Sequence, residues 1–201
     1  MEKTLIRSAT PDDAPVLREI YRYYVEHTAV TFDYETPPAD EFRRRIEETL
    51  SFYPYLVAEE NGVVRGYACA GRFHPRAAYG WCAETTIYLS PEARGRGLGR
   101  ALYTALEEAL RAMGVLNLYA CISDAPAEDE YLTADSPRFH ARMGYAKIGE
   151  FHRCGYKFSR WYDMIWMEKH IGEHSAQVRA LQPFSSVADR VFFGLRQEPR
   201  K

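Results

Sequence analysis

The run Ser90-Pro91-Glu92-Ala93-Arg94-Gly95-Arg96-Gly97-Leu98-Gly99-Arg100 concentrates glycine and arginine just ahead of a long amphipathic stretch. Glycines let backbone N–H groups converge on an anion, a helix N-terminus adds the positive end of its dipole, and arginines add formal charge. Together these are the parts of a pyrophosphate cradle. Spacing excludes two nucleotide cradles. A P-loop ends in Gly-Lys followed by Ser or Thr, and Gly99-Arg100-Ala101 does not supply it. A dinucleotide fingerprint reads G-x-G-x-x-G, but counted from Gly95 and Gly97 its third glycine falls on Arg100. What remains is Arg-x-x-Gly-x-Gly at Arg94, Gly97 and Gly99, with a glycine-rich turn that merely starts a helix as the plain alternative.

The elements around this loop follow from periodicity. Residues 4 to 9 alternate like a short strand, and Thr10-Pro11-Asp12-Asp13 then supplies a cap, a helix-ready proline and acidic groups at the positive dipole end. Leu17, Ile20, Tyr21 and Tyr24 predict a first helix over about 12 to 27, and Phe42, Ile46 and Leu50 a second one whose other face carries Arg43, Arg44 and Arg45 beside glutamates. Between them, VTFDYETPP reads as a loop with two oddly aromatic positions, Phe32 and Tyr34. Asn61-Gly62 predicts a tight hairpin over 55 to 72, followed by a strand at 81 to 89. Leu98, Leu102, Leu106 and Leu110 keep a helical rhythm until Gly114, and a strand at 115 to 122 follows. Strand, loop, helix, strand implies a right-handed parallel crossover. An acidic loop at 123 to 135, a short helix over 136 to 143, and strands near 145–156 and 161–169 complete an α/β fold. Its sheet should be mixed, mostly antiparallel, with one parallel junction between the strands near 81–89 and 115–122 and helices flanking it.

The cradle between a strand with Ser-Pro and an amphipathic helix resembles the coenzyme A pyrophosphate loop of the GNAT N-acetyltransferase superfamily. The segments FYPYLVAEENGVVRGYACAGRF, AAYGWCAETTIYLSPEARGRGLGRALY, HARMGY and GYKFSRWYDMIWME look like its phosphinothricin/methionine sulfoximine acetyltransferase subgroup, over about residues 4 to 170. The resemblance implies the GNAT acyl-CoA N-acyltransferase fold for 1–170, a C-terminal extension at 171–201, and acetyl-CoA as cosubstrate. It also implies a small-molecule amine acceptor, of which the α-amino group of a small amino acid or analogue is the leading choice. A peptide N-terminus or polyamine is the alternative, motivated by the acidic loop. A non-catalytic coenzyme A binder is the reading from another class.

By the same resemblance Glu84 stands where the family places a carboxylate beside the acceptor amine, either taking its proton or only binding the ammonium. His140 stands where many relatives carry a tyrosine that protonates the departing thiolate, and could donate that proton, act on the amine, cap the helix or touch coenzyme A. Backbone groups of Ile87, Tyr88 and Leu89 are expected along the pantetheine arm. Arg94, Gly95, Arg96, Gly97, Leu98, Gly99 and Arg100 are expected at the pyrophosphate, and Ser136 at the coenzyme. Arg76, or alternatively Arg72, would meet a substrate carboxylate. Phe32 and Tyr34 would line the acceptor pocket, or pack on the core. Relatives usually carry a Pro-Asn pair shortly before the residue matching Ser136; here that stretch is longer and acidic, with Thr133 three before the serine.

Other classes find little support. Length and composition, 201 residues with 46% hydrophobic and 27% charged, fit one globular domain with an appended segment. With 26 Lys plus Arg against 28 Asp plus Glu, the net charge of -2 supplies no broad field for nucleic acid or an anionic membrane. No apolar run approaches the roughly 18 residues of a span, and the first residues lack the apolar core of a signal peptide, so a cytoplasmic location is expected. Cys69, Cys82, Cys121 and Cys154 sit far apart on strand-like runs and are expected to be buried free thiols. His170 and His174 share a helical spacing without a third ligand, so no metal is expected. The aromatic stretch from Phe151 to Trp166 reads as core packing or the interface of a possible homodimer.

Overall fold

A computed structural model describes residues 4–191. In chain order its elements are β1 (Thr4–Ser8), α1 (Ala14–His27), α2 (Ala39–Leu50), β2 (Tyr55–Glu60), β3 (Val63–Arg72), β4 (Cys82–Leu89), α3 (Leu98–Met113), β5 (Asn117–Asp124), α4 (Asp135–Arg142), β6 (Ala146–Lys157) and β7 (Arg160–His170). The strands form one seven-stranded sheet in the order β1-β2-β3-β4-β5-β7-β6. Every pair is antiparallel except β4 with β5, as the crossover through α3 requires.

Strand alternation sorts side chains onto two faces. Leu56, Ala68, Ala83, Leu118 and Ile165 turn to one, where they bury the apolar stripe of α3, with Leu102, Leu106 and Leu110 fully enclosed. Tyr55, Val57 and Tyr67 turn to the other and meet Leu17, Ile20, Tyr24, Phe42 and Ile46 of α1 and α2. The arginines of α2 face outward as expected, with Arg43 on Asp12 at 3.0 Å and Arg45 on Glu41. No described helix is long and apolar enough to cross a membrane.

The parallel pair is short. Cys82, Ala83 and Glu84 pair with Asn117, Leu118 and Tyr119, and there the strands separate. β4 continues to Leu89 on β3 alone, while β5 continues to Asp124 on β7 alone. A wedge therefore opens in the sheet directly beyond Glu84.

Three expectations need adjustment. β5 begins at Asn117 because the Val115 N–H returns to Leu110 O at 3.0 Å, extending the helix end into the expected strand. All four cysteines lie on strands and are free, but Cys121 and Cys154 are exposed. Cys121 faces the wedge that β4 has left, and Cys154 lies in a bulge of the edge strand β6. The aromatic hairpin is half core and half surface: Tyr162 and Ile165 are buried, whereas Phe151 and Trp161 are more than half exposed. The segment after β7, whose order the sequence leaves undecided, docks on the α3 side through Phe184, Val187 and Val191. The rest of the run VFFGL lies outside the described residues.

Candidate active site

Glu84 sits at the mouth of the wedge. Its register partners are Gly71 on β3 and Tyr119 on β5, so it shares a face with Tyr119 and Cys121 and, through β7, with Trp166. Phe73 roofs this face, stacked on Tyr119 at 4.3 Å and edge-on to Trp166 at 5.6 Å. The Glu84 carboxylate makes no hydrogen bond or ion pair among the described residues, and burial alone pushes its pKa up from the usual carboxylate value.

Backbone groups complete the wedge. The Ser90 N–H donates to Arg65 O at 2.8 Å, so by alternation Tyr88 also turns its N–H and C=O to β3, opposite Tyr67. Thr85, Ile87 and Leu89 turn theirs away from β3, into the gap. Tyr24 closes the last position, its hydroxyl donating to Leu89 O at 2.6 Å and facing Leu89 N at 3.3 Å. Of the three residues expected along the pantetheine arm, Tyr88 and Leu89 are therefore corrected: ladder pairing holds one and a tyrosine cap the other. Ile87 keeps an open edge, and Thr85 joins it.

The glycine-rich loop follows at the N-terminus of α3. Gly95 and Gly97 adopt φ values of +72° and +84°, with nothing within 4 Å of where a Cβ would stand. Backbone conformation, not crowding, demands glycine there. Gly99 is different: a Cβ would lie 3.3 Å from the Phe139 ring, a tight contact to which that ring would have to yield by a few tenths of an ångström. The first N–H groups of α3, from Leu98 onward, point into this space without intrahelical partners. The arginines divide. Arg94 lies over the rings of Tyr23 and Tyr24, at 5.5 and 5.0 Å, Arg96 pairs with Glu60 at 3.1 Å, and the Arg100 side chain is exposed without an ion pair among the described residues. The arrangement can bind a diphosphate through backbone donors and mobile positive charge.

His140 lies on the opposite face from Glu84, 3% exposed in the α3 layer. Its Nδ1 stands 2.8 Å from the carbonyl of Ser136, which can only accept, so Nδ1 carries the proton. Nε2 then accepts from the Tyr103 hydroxyl at 2.8 Å. Burial lowers the pKa of the ring to about 4, against the opposing pull of the Ser136 carbonyl, leaving it neutral near pH 7. Both nitrogens are thus engaged within the layer of α3 and α4. Thr85 Oγ1, 3.3 Å from both Tyr103 and Tyr145 hydroxyls, donates to Tyr119 O at 3.1 Å and so bridges β4 to β5 where they part. Sequence reading missed Tyr103 and Thr85. The available signal was a tyrosine on the apolar stripe of α3, because a buried phenol needs a partner.

The remaining expected residues separate clearly. Arg76 precedes a turn at Ala77–Tyr79; its guanidinium is exposed and makes no side-chain bond among the described residues. Arg72 pairs with Ala83 and reaches Tyr53 on the α3 face, so alternation removes it from Glu84. Phe32 packs on Gly155, whose absent Cβ would otherwise stand 2.3 Å from the ring, and on Tyr162. Tyr34 is 70% exposed and donates to Tyr156 O. Ser136 is half-buried in the first turn of α4.

The acidic loop is partly neutralised, two arginines facing its five carboxylates. Asp129 accepts from the N–H groups of Tyr131 and Leu132 at 2.8 Å each, Arg160 pairs with Asp129 and Glu130 at 2.8 Å, and Arg138 pairs with Glu128 at 2.7 Å. Tyr131 stacks on Phe158 at 4.1 Å, which fastens the loop to the tip of the β6–β7 hairpin.

Comparison with known proteins agrees with this geometry. Residues 6–166 match the acetyltransferase (GNAT) domain family. The chain is 34% identical to the phosphinothricin N-acetyltransferase of Streptomyces viridochromogenes, over 90% of this chain and 95% of that one. It is 34% identical to the L-methionine sulfoximine/L-methionine sulfone acetyltransferase of Salmonella typhimurium, over 85% and 96%. A GNAT superfamily phosphinothricin acetyltransferase from Sinorhizobium meliloti, solved in complex with AcCoA, superposes with a TM-score of 0.78 at 34% identity, covering 90% of this chain and 92% of that one.

Proposed function

The chain belongs to the GNAT acetyltransferase family and is an acetyl-CoA-dependent N-acetyltransferase, and we propose that its acceptor is the α-amino group of a small amino acid or analogue. The relatives named for phosphinothricin and methionine sulfoximine support this choice of acceptor. The attraction of the acidic loop for a polyamine is reduced, since Arg160 and Arg138 already pair with Glu128, Asp129 and Glu130.

The reading rests on Glu84, a desolvated carboxylate without a partner at the mouth of the wedge. An amino group with a pKa of about 8 is mostly protonated near neutrality, and Glu84, directly or through water, takes that proton. The freed lone pair attacks the thioester carbonyl in a direct ternary complex. The C–S bond then breaks, and the second proton shed by the nitrogen as the amide forms is available to the thiolate. An Ile87 N–H on the open edge would polarise the carbonyl. Gly95, Arg96, Gly97, Leu98, Gly99 and Arg100 would cradle the pyrophosphate, and Arg76 would take the acceptor carboxylate. His140 holds α4 to α3 as a positioning residue.

The test is thiol release from acetyl-CoA across phosphinothricin, methionine sulfoximine, natural amino acids, spermidine and short peptides, with a no-acceptor blank. Turnover confined to small amino acids is the expected result. Turnover with spermidine or peptides alone overturns the acceptor assignment, and tight acetyl-CoA binding without any turnover favours a coenzyme A sensor.

A further inference from the structure

The edge hairpin carries a second constellation, remote from the wedge. The β6–β7 register slips between Phe151 and Gly155, and beside the slip Glu150, His152 and Asp163 gather on the face away from Glu84. The face follows from pairing: Glu150 is opposite Ile165, whose side chain enters the α3 core two positions from Asp163. His152 Nδ1 lies 3.7 Å from Glu150 Oε1 and 3.6 Å from Asp163 Oδ2. One ligand atom from each residue falls within 4.8 Å of the others.

The other oxygens are already committed. Glu150 Oε2 accepts from Lys147 Nζ at 2.7 Å, and Asp163 Oδ1 accepts from the Arg153 N–H at 2.7 Å. Each carboxylate is thus anchored by one oxygen and presents the second. Asp163 is only 5% exposed, and its Oδ2 receives no hydrogen bond among the described residues. That oxygen faces the imidazole Nδ1 of His152, a group that can share a cation with it. A cavity of about 480 Å³ walled by Pro126, His152, Arg153, Trp161 and Asp163 gives access from solvent.

We propose that Glu150, His152 and Asp163 bind one divalent transition-metal ion, of the Zn²⁺ class, with water completing the coordination. Tetrahedral zinc with bonds of about 2.0–2.2 Å holds its ligand atoms roughly 3.3–3.5 Å apart; the two distances from His152 are already close to that, and the two carboxylates would draw together by up to about an ångström around the ion. Mg²⁺ and Ca²⁺ fit poorly, because they take six or more oxygen ligands and little imidazole. Lys147 and the Arg153 N–H supply the outer contacts that orient the carboxylates. His170 and His174 do not compete: His174 Nε2 is bound to Asn117 at 2.6 Å, and His170 lies 3.3 Å from Glu168. A bound ion would cross-link β6 to β7 at the bulge, stiffening the hairpin whose tip holds the Phe32–Tyr34 loop. Because the trio is on the far face from Glu84, the ion adds stability and leaves the transfer chemistry alone.

The test uses the full chain after EDTA treatment, titrated with Zn²⁺ by calorimetry and with Co²⁺ by visible absorption. Expected results are one ion per chain, a raised Tm, tetrahedral Co²⁺ bands and an unchanged acetylation rate. His152→Ala, at a side chain 73% exposed, should fold normally and weaken binding by at least about tenfold, while the double variant His170→Ala/His174→Ala should bind as the parent does. Failure of the parent to bind one ion, equal binding by His152→Ala, or loss in the double variant would each overturn the site.

Discussion

Glu84 and His140 stand on opposite faces of the same parting strands, and burial acts on both with opposite results. Burial raises the Glu84 carboxyl and leaves it unpaired on an aromatic-walled face where a solute can arrive. The same physical cause drives His140 down to about 4, but both its nitrogens are spent, on Ser136 and Tyr103. A perturbed pKa marks a candidate functional group. What separates the group proposed to react from the one proposed to position is the hydrogen-bonding capacity that Glu84 leaves unused among the described residues.

The largest effect should therefore come from Glu84→Gln. Loss of a general base typically slows turnover by about 10² to 10⁴, so kcat should fall within that range while acetyl-CoA affinity stays. The parent rate should rise with pH through an apparent pKa above the usual carboxylate value, a limb that Glu84→Gln removes. A variant retaining more than a tenth of the rate would mean that the two faces do not differ in the way their hydrogen bonds suggest.

His140→Ala should act first on stability. Removing an enclosed ring and stranding its partners is worth about 3 kcal/mol, read as a lower urea midpoint. The pH dependence carries the sign. The unfolded ring binds a proton near pH 6.5 and the folded one near 4, so this stability is complete above pH 6.5 and drains away as pH falls toward 4. The total is about 3 kcal/mol, and the parent should lose more stability than His140→Ala between pH 7 and 4.5. Equal losses would show that the folded ring titrates as the unfolded one does and that burial does not lower its pKa.

Arg76 and Arg72 sharpen the same division of faces with a smaller effect. If Arg76 pairs with the acceptor carboxylate, Arg76→Ala should raise the acceptor KM by about tenfold to a hundredfold, the worth of a charged hydrogen bond. Arg72→Ala, on the α3 face beside Tyr53, should leave that KM unchanged. The reverse pattern would place the carboxylate on the wrong side of β3.

Local signals made much of this legible. Asn61-Gly62, the Leu98–Leu110 rhythm and the glycines before α3 each act over a few residues, and the hairpin, α3 and the glycine-bearing loop all stand where those signals put them. The position of Glu84 beside the parting of β4 and β5 follows from the single strand that carries it. The site was not legible where long-range pairing decides: strand parity turns the Tyr88 backbone to β3 and Arg72 to the far face, and Tyr24 reaches Leu89 across 65 positions. The trio at Glu150, His152 and Asp163 joins two strands across a bulge, and no spacing within one segment could announce it.

Tyr103→Phe should give the smallest change and the finest discrimination. The variant keeps the ring that packs on Phe139 and Tyr145 and deletes only the hydroxyl that donates to His140 Nε2. A net hydrogen bond is worth about 1 kcal/mol, so stability should drop by that order. The freed Nε2 then loses its donor, and His140 should become easier to protonate, moving its pKa upward from about 4. NMR titration of the His140 ring reads that shift directly. If His140 only positions α4, kcat should fall by less than about threefold, well under the loss of a proton-transfer group, and the limb assigned to Glu84 should stay in place. A fall as deep as that of Glu84→Gln would mean that the buried tyrosine–histidine pair conducts a proton to the wedge.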